Sequence, residues 1–362
     1  MSPDPTAFGS ATKTLVVFAA FVIVVAGIKA AEPLMVPFLL AVFIATIAAT
    51  PVFWLEQRRV PAGLAILVVM IGIIGALLGF GALVAQSVSE FTAKLPFYQA
   101  RLTELVEQVL TWLAPLGIEV SEDLLLSYFD PGTALAMAGN TLRGLGGVLS
   151  NSFLILLTVI FILAEASSFP TKLRAVLSNP DRDLPYFARF AATVNRYIAI
   201  KTTVSLATGV IIGVFLAVLG VDFPVLWGLI AFLLNYVPNI GSIIAAVPAV
   251  LLALIQLGPV HALITTGGYV LVNVAMGNGV EPRFMGRGLG LSTLVVFLSL
   301  VFWGWMLGPV GMLLSVPLTM TAKIALEANP ATQWLAHLLG PAEGARLLPA
   351  EASETSAPDQ QA

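Results

Sequence analysis

Long runs without charge are the feature that most constrains this chain. Between Lys201 and Glu281 lie 79 residues with a single charged side chain, Asp222, and 35 uncharged residues separate Arg287 from Lys323. Six such runs cover 203 of the 362 residues. A charge at the centre of a bilayer costs roughly 2.5–3.5 kcal/mol even on insertion scales. Since one spanning helix takes about 20 residues, the runs predict an all-α, polytopic integral membrane protein.

The composition excludes several classes of function. Charged residues make up 10% of the chain, against about 25% in soluble domains. The chain has no cysteine, which excludes disulfides, cysteine-ligated metals and thiol nucleophiles. A net charge of −3 gives no reason to expect nucleic acid as a partner. There is no Walker-type phosphate loop and no H-E-x-x-H motif, so we expect neither an enzyme nor a cofactor.

Basic residues in the connections predict which side of the membrane each connection faces. Arg58 and Arg59 lie in the turn between the second and third apolar segments, and the connection 166–201 is also rich in Lys and Arg. Acidic residues instead outnumber basic ones in 86–147. By the positive-inside tendency, we expect both termini and 166–201 in the cytoplasm and 86–147 outside. The six predicted spans are 15–30, 34–53, 64–84, 148–164, 204–219 and 263–278.

The rest of the chain divides around these spans. We expect a disordered cytoplasmic N-terminus over 1–14, spans one to three over 15–85, a transport core over 148–327 and a cytoplasmic tail over 328–362. The outside segment 86–147 carries apolar residues at helical spacing, among them Phe97, Leu102 and Val106, which predicts an amphipathic helix. That helix could pack on the protein's own spans, lie at the interface or contact another subunit.

Two apolar segments are broken in their middle by proline and glycine. The segment 222–257 contains LNYVPNIG, and the segment 291–325 contains WGWMLGPVG. Proline removes a backbone donor, and freed backbone groups in hydrocarbon are tolerated only against protein or a wet cavity. Paired breaks of this kind favour two re-entrant hairpins beside a binding site, giving about eight membrane segments. Alternatively, each break joins two short spans, giving ten crossings. The residues of the breaks are Pro238, Gly241, Pro248, Gly308, Pro309, Gly311 and Pro317.

Polar residues collect at the first break and after the sixth span. Amides there could hydrogen-bond a polar solute, and the carboxylate of Glu281 could bind a cation or exchange a proton. Alternatively, Glu281 forms a salt bridge in a glycine-rich cytoplasmic turn. Asp222, at a span end, is expected to face water. The candidate binding residues are Asn235, Tyr236, Asn239, Ser242, Asn273, Asn278, Glu281 and Arg283.

Three stretches carry a family resemblance. LNYVPNIGSIIAAVPAVLLAL (234–254), GNGVEPRFMGRGLGLSTLVVFLSLVFWGWMLGPVGMLLSVPL (277–318) and the early P-x-x-W-L-E with P-x-G-L-A-I-L (51–67) resemble the autoinducer-2 exporter family of bacterial membrane permeases. The resemblance covers about residues 15–327. It implies a bacterial inner-membrane transporter with about eight membrane segments, and either export of small polar metabolites or sodium/proton exchange.

The functional prediction is a secondary transporter that exports a small hydrophilic metabolite, similar to autoinducer-2, and is driven by an ion gradient. The first alternative is a sodium/proton antiporter that uses Glu281, and a distant one is a scaffold that acts through 86–147. The expected partners are a small polar solute or a monovalent cation or proton, and the lipid bilayer. We also expect a homo-oligomer, formed through small-residue faces such as Gly72, Gly75 and Gly79.

Overall fold

A computed structural model describes residues 10–113, 115, 152–166, 168–176, 180–238, 240–285, 290–328 and 332–341. This part of the chain is almost entirely helical and has no β-strand, which confirms the all-α prediction. The helices are α1 Ser10–Ala30, α2 Glu32–Gln57, α3 Ala62–Leu113, α4 Ser152–Ala166, α5 Phe169–Val176, α6 Pro180–Leu219, α7 Pro224–Leu234, α8 Ile240–Leu257, α9 Pro259–Val274, α10 Glu281–Met285, α11 Thr293–Glu327 and α12 Gln333–Leu338. A π-helical turn, Ala275–Val280, joins α9 to α10.

Long apolar helices confirm a polytopic membrane protein. Within the described ranges, six are long and apolar enough to cross a membrane: Glu32–Gln57, Ala62–Gln108, Ala191–Leu219, Ile240–Leu257, Pro259–Phe284 and Thr293–Glu327. Shorter apolar helices cover Leu15–Ala30, Ser152–Ala166 and Pro224–Leu234. A helix suits these apolar runs because it satisfies every backbone polar group internally. Each of the six predicted spans overlaps a helix. Helix α1 already begins at Ser10, so residues 10–14 are helical rather than disordered.

Helix α3 continues well beyond the predicted end of span three at Val84. It has 52 residues, which corresponds to about 78 Å at 1.5 Å per residue. The predicted amphipathic helix is therefore the continuation of this span as far as Leu113, and most of 114–151 lies outside the described residues. The buried stripe is Tyr98, Leu102 and Val106, four residues apart, whereas Phe97 is exposed. Tyr98 packs with Trp227 in one apolar cluster, so this helix lies against the protein's own helices.

Helix α6 includes residues 180–201 of the expected cytoplasmic connection 166–201. It begins at Pro180 and runs without interruption to Leu219, a length of 40 residues. Lys201 therefore lies inside a long helix, and its side chain is only 7% exposed. The sequence places Lys201 among the solvated basic residues of a connection, and the structure corrects that placement.

The first broken segment forms a helical hairpin of α7 and α8. At its base, the backbone N–H of Asp222 donates to Oε1 of Gln256 at 2.9 Å, and Nε2 of Gln256 donates to the Gly220 carbonyl at 3.0 Å. At its tip, a Cβ on Gly241 would overlap the backbone carbonyl of Leu234. Only glycine allows the two arms to approach this closely.

The second broken segment also reverses direction, within α11. Gly308 has φ 63° and ψ −151°, values that suit glycine and that break the helix. Nε1 of Trp303 donates to Oγ1 of Thr319 at 2.9 Å, although a straight helix would separate these residues by about 24 Å. At the base, Nζ of Lys323 donates to the Gly290 carbonyl at 2.6 Å. A Cβ on Gly311 would overlap the Trp303 carbonyl, just as Gly241 meets Leu234.

The tips of the two hairpins pack against different parts of the protein. At the tip of the first, Tyr236 packs with Val316 and Met320 of the second hairpin's returning arm. The tip of the second lies at the α1–α2 junction, where Nζ of Lys29 donates to the carbonyls of Trp305 and Met306 at 3.0 and 3.2 Å. Lys29 thereby satisfies the Trp305 carbonyl, which loses its usual helical donor because Pro309 has no N–H.

The lengths of the arms favour re-entrant hairpins over pairs of short spans. Helix α7 has 11 residues, which is about 16 Å. The first arm of α11, Thr293 to Gly308, extends about 22 Å before its break. Helix α7 is only about half as long as a hydrocarbon core of about 30 Å, which favours a re-entrant hairpin for the first broken segment. We therefore interpret the chain as six spans with two hairpins, the second of them defined by the reversal at Gly308.

Candidate solute-binding cavity

A cavity of about 740 Å³ lies beside the tip of the first hairpin. Helix α8 forms one wall, and α9 with the following π-turn forms another. Its apolar lining includes Ala246, Val250 and Leu251. Pro238 and Gly277 also line it, and its polar lining consists of Lys201, Asn235, Ser242, Thr266, Tyr269, Asn273, Asn278 and Glu281.

An ion pair lies at the polar end of the cavity. Nζ of Lys201 lies 3.0 Å from each carboxylate oxygen of Glu281. The side chains are 7% and 19% exposed, so both charges are largely withdrawn from solvent. Lys201 comes from α6 and Glu281 from the start of α10, and the pair therefore joins two elements that are 80 residues apart in sequence.

The hairpin tip is fixed to α6 next to this ion pair. Nδ2 of Asn235 donates to Oγ of Ser205 at 2.9 Å. The Tyr236 hydroxyl donates to Oγ1 of Thr202 at 2.7 Å. Because Thr202 follows Lys201 directly, the break of the first hairpin is bonded to α6 within one helical turn of the ion pair.

The cavity is elongated along the helices, with a polar end and an apolar end. Lys201 precedes Leu219, the end of α6, by 18 residues, or about 27 Å. Leu251 precedes Leu257, the end of α8, by only six residues, or about 9 Å. The ends of α6 and α8 meet at the hairpin base through Gly220 and Gln256. The charged end therefore lies far from the hairpin base, and the apolar end lies near it.

Irregular backbone in the wall of α9 brings amides to the cavity. The π-turn Ala275–Val280 carries Asn278, and π-turns inside α-helices occur frequently at functional sites. One turn earlier, Nδ2 of Asn273 donates to the Tyr269 carbonyl at 2.8 Å. The Tyr269 hydroxyl is buried and has no hydrogen-bond partner among the described residues. Because this oxygen is fully enclosed, the polar groups that this wall presents to a solute are the amides of Asn273 and Asn278.

The structure brings together most, but not all, of the candidate binding residues. Asn235, Ser242, Asn273, Asn278 and Glu281 line the cavity, whereas Arg283 is exposed and does not line it. Tyr236 is buried beneath it against Thr202. Asn239 lies outside the described residues. Of the break residues, only Pro238 lines this cavity; Gly241, Pro248, Gly308, Pro309, Gly311 and Pro317 do not.

Sequence reasoning missed three lining residues and misplaced one acid. Lys201, Thr266 and Tyr269 line the cavity. Asp222 does not simply face water: its carboxylate accepts from Lys94 at 2.8 Å and from the Tyr98 hydroxyl at 2.7 Å. It thus ties the long helix α3 to the base of the first hairpin.

Apolar spanning helices, two broken hairpins and a cavity with a few polar groups between membrane helices are typical of a membrane transporter. The sequence profile described as "AI-2E family transporter" matches residues 18–331. The chain belongs to this family, which makes it a transport protein and not an enzyme.

Several curated relatives cover almost the whole chain. It is 43% identical over 327 residues to the "AI-2 transport protein TqsA" of Escherichia coli (strain K12), with 90% of this chain and 95% of that protein covered. It is 41% identical over 337 residues to a "Putative transport protein" of Haemophilus influenzae, covering 91% and 97%. The "Putative transport protein YhhT" of Escherichia coli (strain K12) is 38% identical over 348 residues, covering 96% and 99%.

Proposed function

We propose that this protein exports a small hydrophilic metabolite, similar to autoinducer-2, through the cavity beside the first hairpin. The observation that carries the proposal is the cavity itself. It places the amides of Asn235, Asn273 and Asn278 around about 740 Å³, beside a proline break. A ligand pocket of this kind has a largely apolar wall and a few polar groups that fix the solute.

The proposal includes the setting and the driving force. The protein would lie in the bacterial inner membrane with both termini in the cytoplasm, as a homo-oligomer. An ion gradient would supply the energy, because the sequence contains no Walker-type phosphate loop. The name of the Escherichia coli relative, an AI-2 transport protein, supports autoinducer-2 as the first solute to test.

Replacing Asn278 with alanine should lower efflux of autoinducer-2 from preloaded proteoliposomes by roughly two- to tenfold, since a lost hydrogen bond to the solute is worth about 0.5–1.5 kcal/mol. Asn195→Ala is the matched control, because Asn195 is exposed on α6 and does not line the cavity. Equal efflux from both variants would place the solute path elsewhere.

Sodium/proton antiport through Glu281 is a second candidate, because this carboxylate lies in the cavity. In the structure, however, the ammonium of Lys201 already occupies both carboxylate oxygens. A sodium ion or a proton at Glu281 would therefore have to displace Lys201. In addition, Glu281 is the only carboxylate among the described lining residues.

Glu281→Gln separates the two candidates. If the protein is a solute exporter, the variant should keep solute efflux, at most slowed, because a glutamine still accepts a hydrogen bond from Lys201. If it is an antiporter, sodium-dependent proton movement in everted vesicles should vanish in the same variant. Glu104→Gln, on the exposed part of α3, is the matched control for the loss of one carboxylate.

A further inference from the structure

We infer that the Lys201–Glu281 ion pair determines the charge selectivity of the cavity. Uncharged solutes enter the cavity in preference to ions of similar size. This inference rests on the proposed function, because it names the class of solute that the cavity accepts.

The charge balance of the lining is the first step. Among the described lining residues, only Lys201 and Glu281 carry a formal charge, and the remaining polar groups are neutral amides and hydroxyls. The two charges cancel within 3.0 Å. The cavity therefore has no net formal charge to balance an ion that enters it.

Because the ion pair is partly buried, the charge balance of the lining affects which solutes can enter the cavity. The side chains of Lys201 and Glu281 are 7% and 19% exposed, so water screens their fields poorly. An ion that leaves water for such a site needs a partner of opposite charge. Here Lys201 and Glu281 already pair with each other, so an entering ion must first separate them to gain a partner.

A neutral solute meets no such barrier. The amides of Asn273 and Asn278 lie on one wall of the cavity. These groups can bind a neutral polar solute while the ion pair stays intact. Removal of Lys201 would leave one net negative charge, and removal of Glu281 one net positive charge.

The absence of native cysteine allows a direct test of the charge in the cavity. Gly277 lines the cavity four residues before Glu281, and a Cβ there would meet no atom within 4 Å. Gly277→Cys in the full-length purified protein is therefore modified with a cationic (trimethylammonium-ethyl) and an anionic (sulfonato-ethyl) methanethiosulfonate. The ratio of the cationic to the anionic modification rate at Gly277→Cys is divided by the same ratio at Thr111→Cys, an exposed position on α3.

With Lys201 and Glu281 present, we expect a normalised ratio of cationic to anionic rates within about threefold of one. Adding Lys201→Met should raise it at least roughly tenfold, and adding Glu281→Gln should lower it by a similar factor. The combined Lys201→Met/Glu281→Gln background should restore it. Glu281→Gln keeps the test decisive if Lys201→Met does not fold.

Three results would overturn the inference. The first is a ratio that neither single substitution changes. The second is a tenfold preference for the cation with both residues present, as the antiporter alternative requires. The third is a Gly277→Cys thiol that neither reagent reaches in any background. Because these rates need no transport, the inference can fail while the proposed export stands, and the reverse also holds.

Discussion

Replacing Lys201 with methionine is expected to destabilise the folded protein by about 1.5–3 kcal/mol, because the partly buried Glu281 carboxylate loses its charge-assisted hydrogen bonds. Methionine fills a similar volume, so little of the loss would come from packing. The measurement is thermal unfolding of the purified protein in detergent, monitored by intrinsic tryptophan fluorescence.

The matching double variant identifies the cause. Lys201→Met/Glu281→Gln removes both charges and should recover most of the stability, since neutral replacements of a buried pair are often tolerated. Lys172→Met is the control for an exposed pair: Lys172 contacts Glu165, and its side chain is 66% exposed. That change should leave the unfolding temperature nearly unchanged, because exposed ion pairs contribute little to stability. A double variant as unstable as Lys201→Met would contradict the explanation.

Alanine at Gly241 or at Gly311 should prevent the corresponding hairpin from closing. In each case the new Cβ would overlap a backbone carbonyl, that of Leu234 or that of Trp303. A backbone group cannot rotate away as a side chain can, so the two arms would have to separate. We expect a loss of at least about 3 kcal/mol, comparable with overpacking at its most severe, and loss of efflux with it.

Gly267→Ala is the matched control, because Gly267 lies in helix α9 and a Cβ there would meet nothing within 4 Å. Alanine in a helix interior is favoured over glycine by roughly 1 kcal/mol, so this variant should be as stable as the parent or more so. Thermal unfolding and efflux are measured on all three. If Gly241→Ala and Gly311→Ala both behave like Gly267→Ala, the close contacts at the hairpin tips are not present in the protein.

Much of this fold follows from where charge, proline and glycine fall in the sequence. The uncharged runs place the spanning helices, and the breaks at Pro238 and Pro309 place the two reversals. Composition predicts an end of α3 near Val84, where polar residues begin, but the helix continues to Leu113. No helix-breaking residue lies there, and the backbone simply continues.

The sequence predicts less of the site than of the fold. Residues near the first break were identified because polar groups are rare in apolar runs. Lys201 was missed because its partner is 80 residues away. A signal did exist: Lys201 and Glu281 flank the longest charge-poor run, with Asp222 as its single charge, and the predicted topology returns both to the same side. The role of Lys29 at the second break depends on tertiary packing between α1 and α11, which no local pattern reports.

The central claim is that solute passes through the cavity beside the first hairpin. The most direct test measures efflux of autoinducer-2 from proteoliposomes containing Gly277→Cys, before and after modification of the thiol with a bulky uncharged methanethiosulfonate. We predict that modification blocks efflux at Gly277→Cys and leaves Thr111→Cys unaffected. Undiminished efflux from fully modified Gly277→Cys would contradict the account, because the filled cavity could not then be the route.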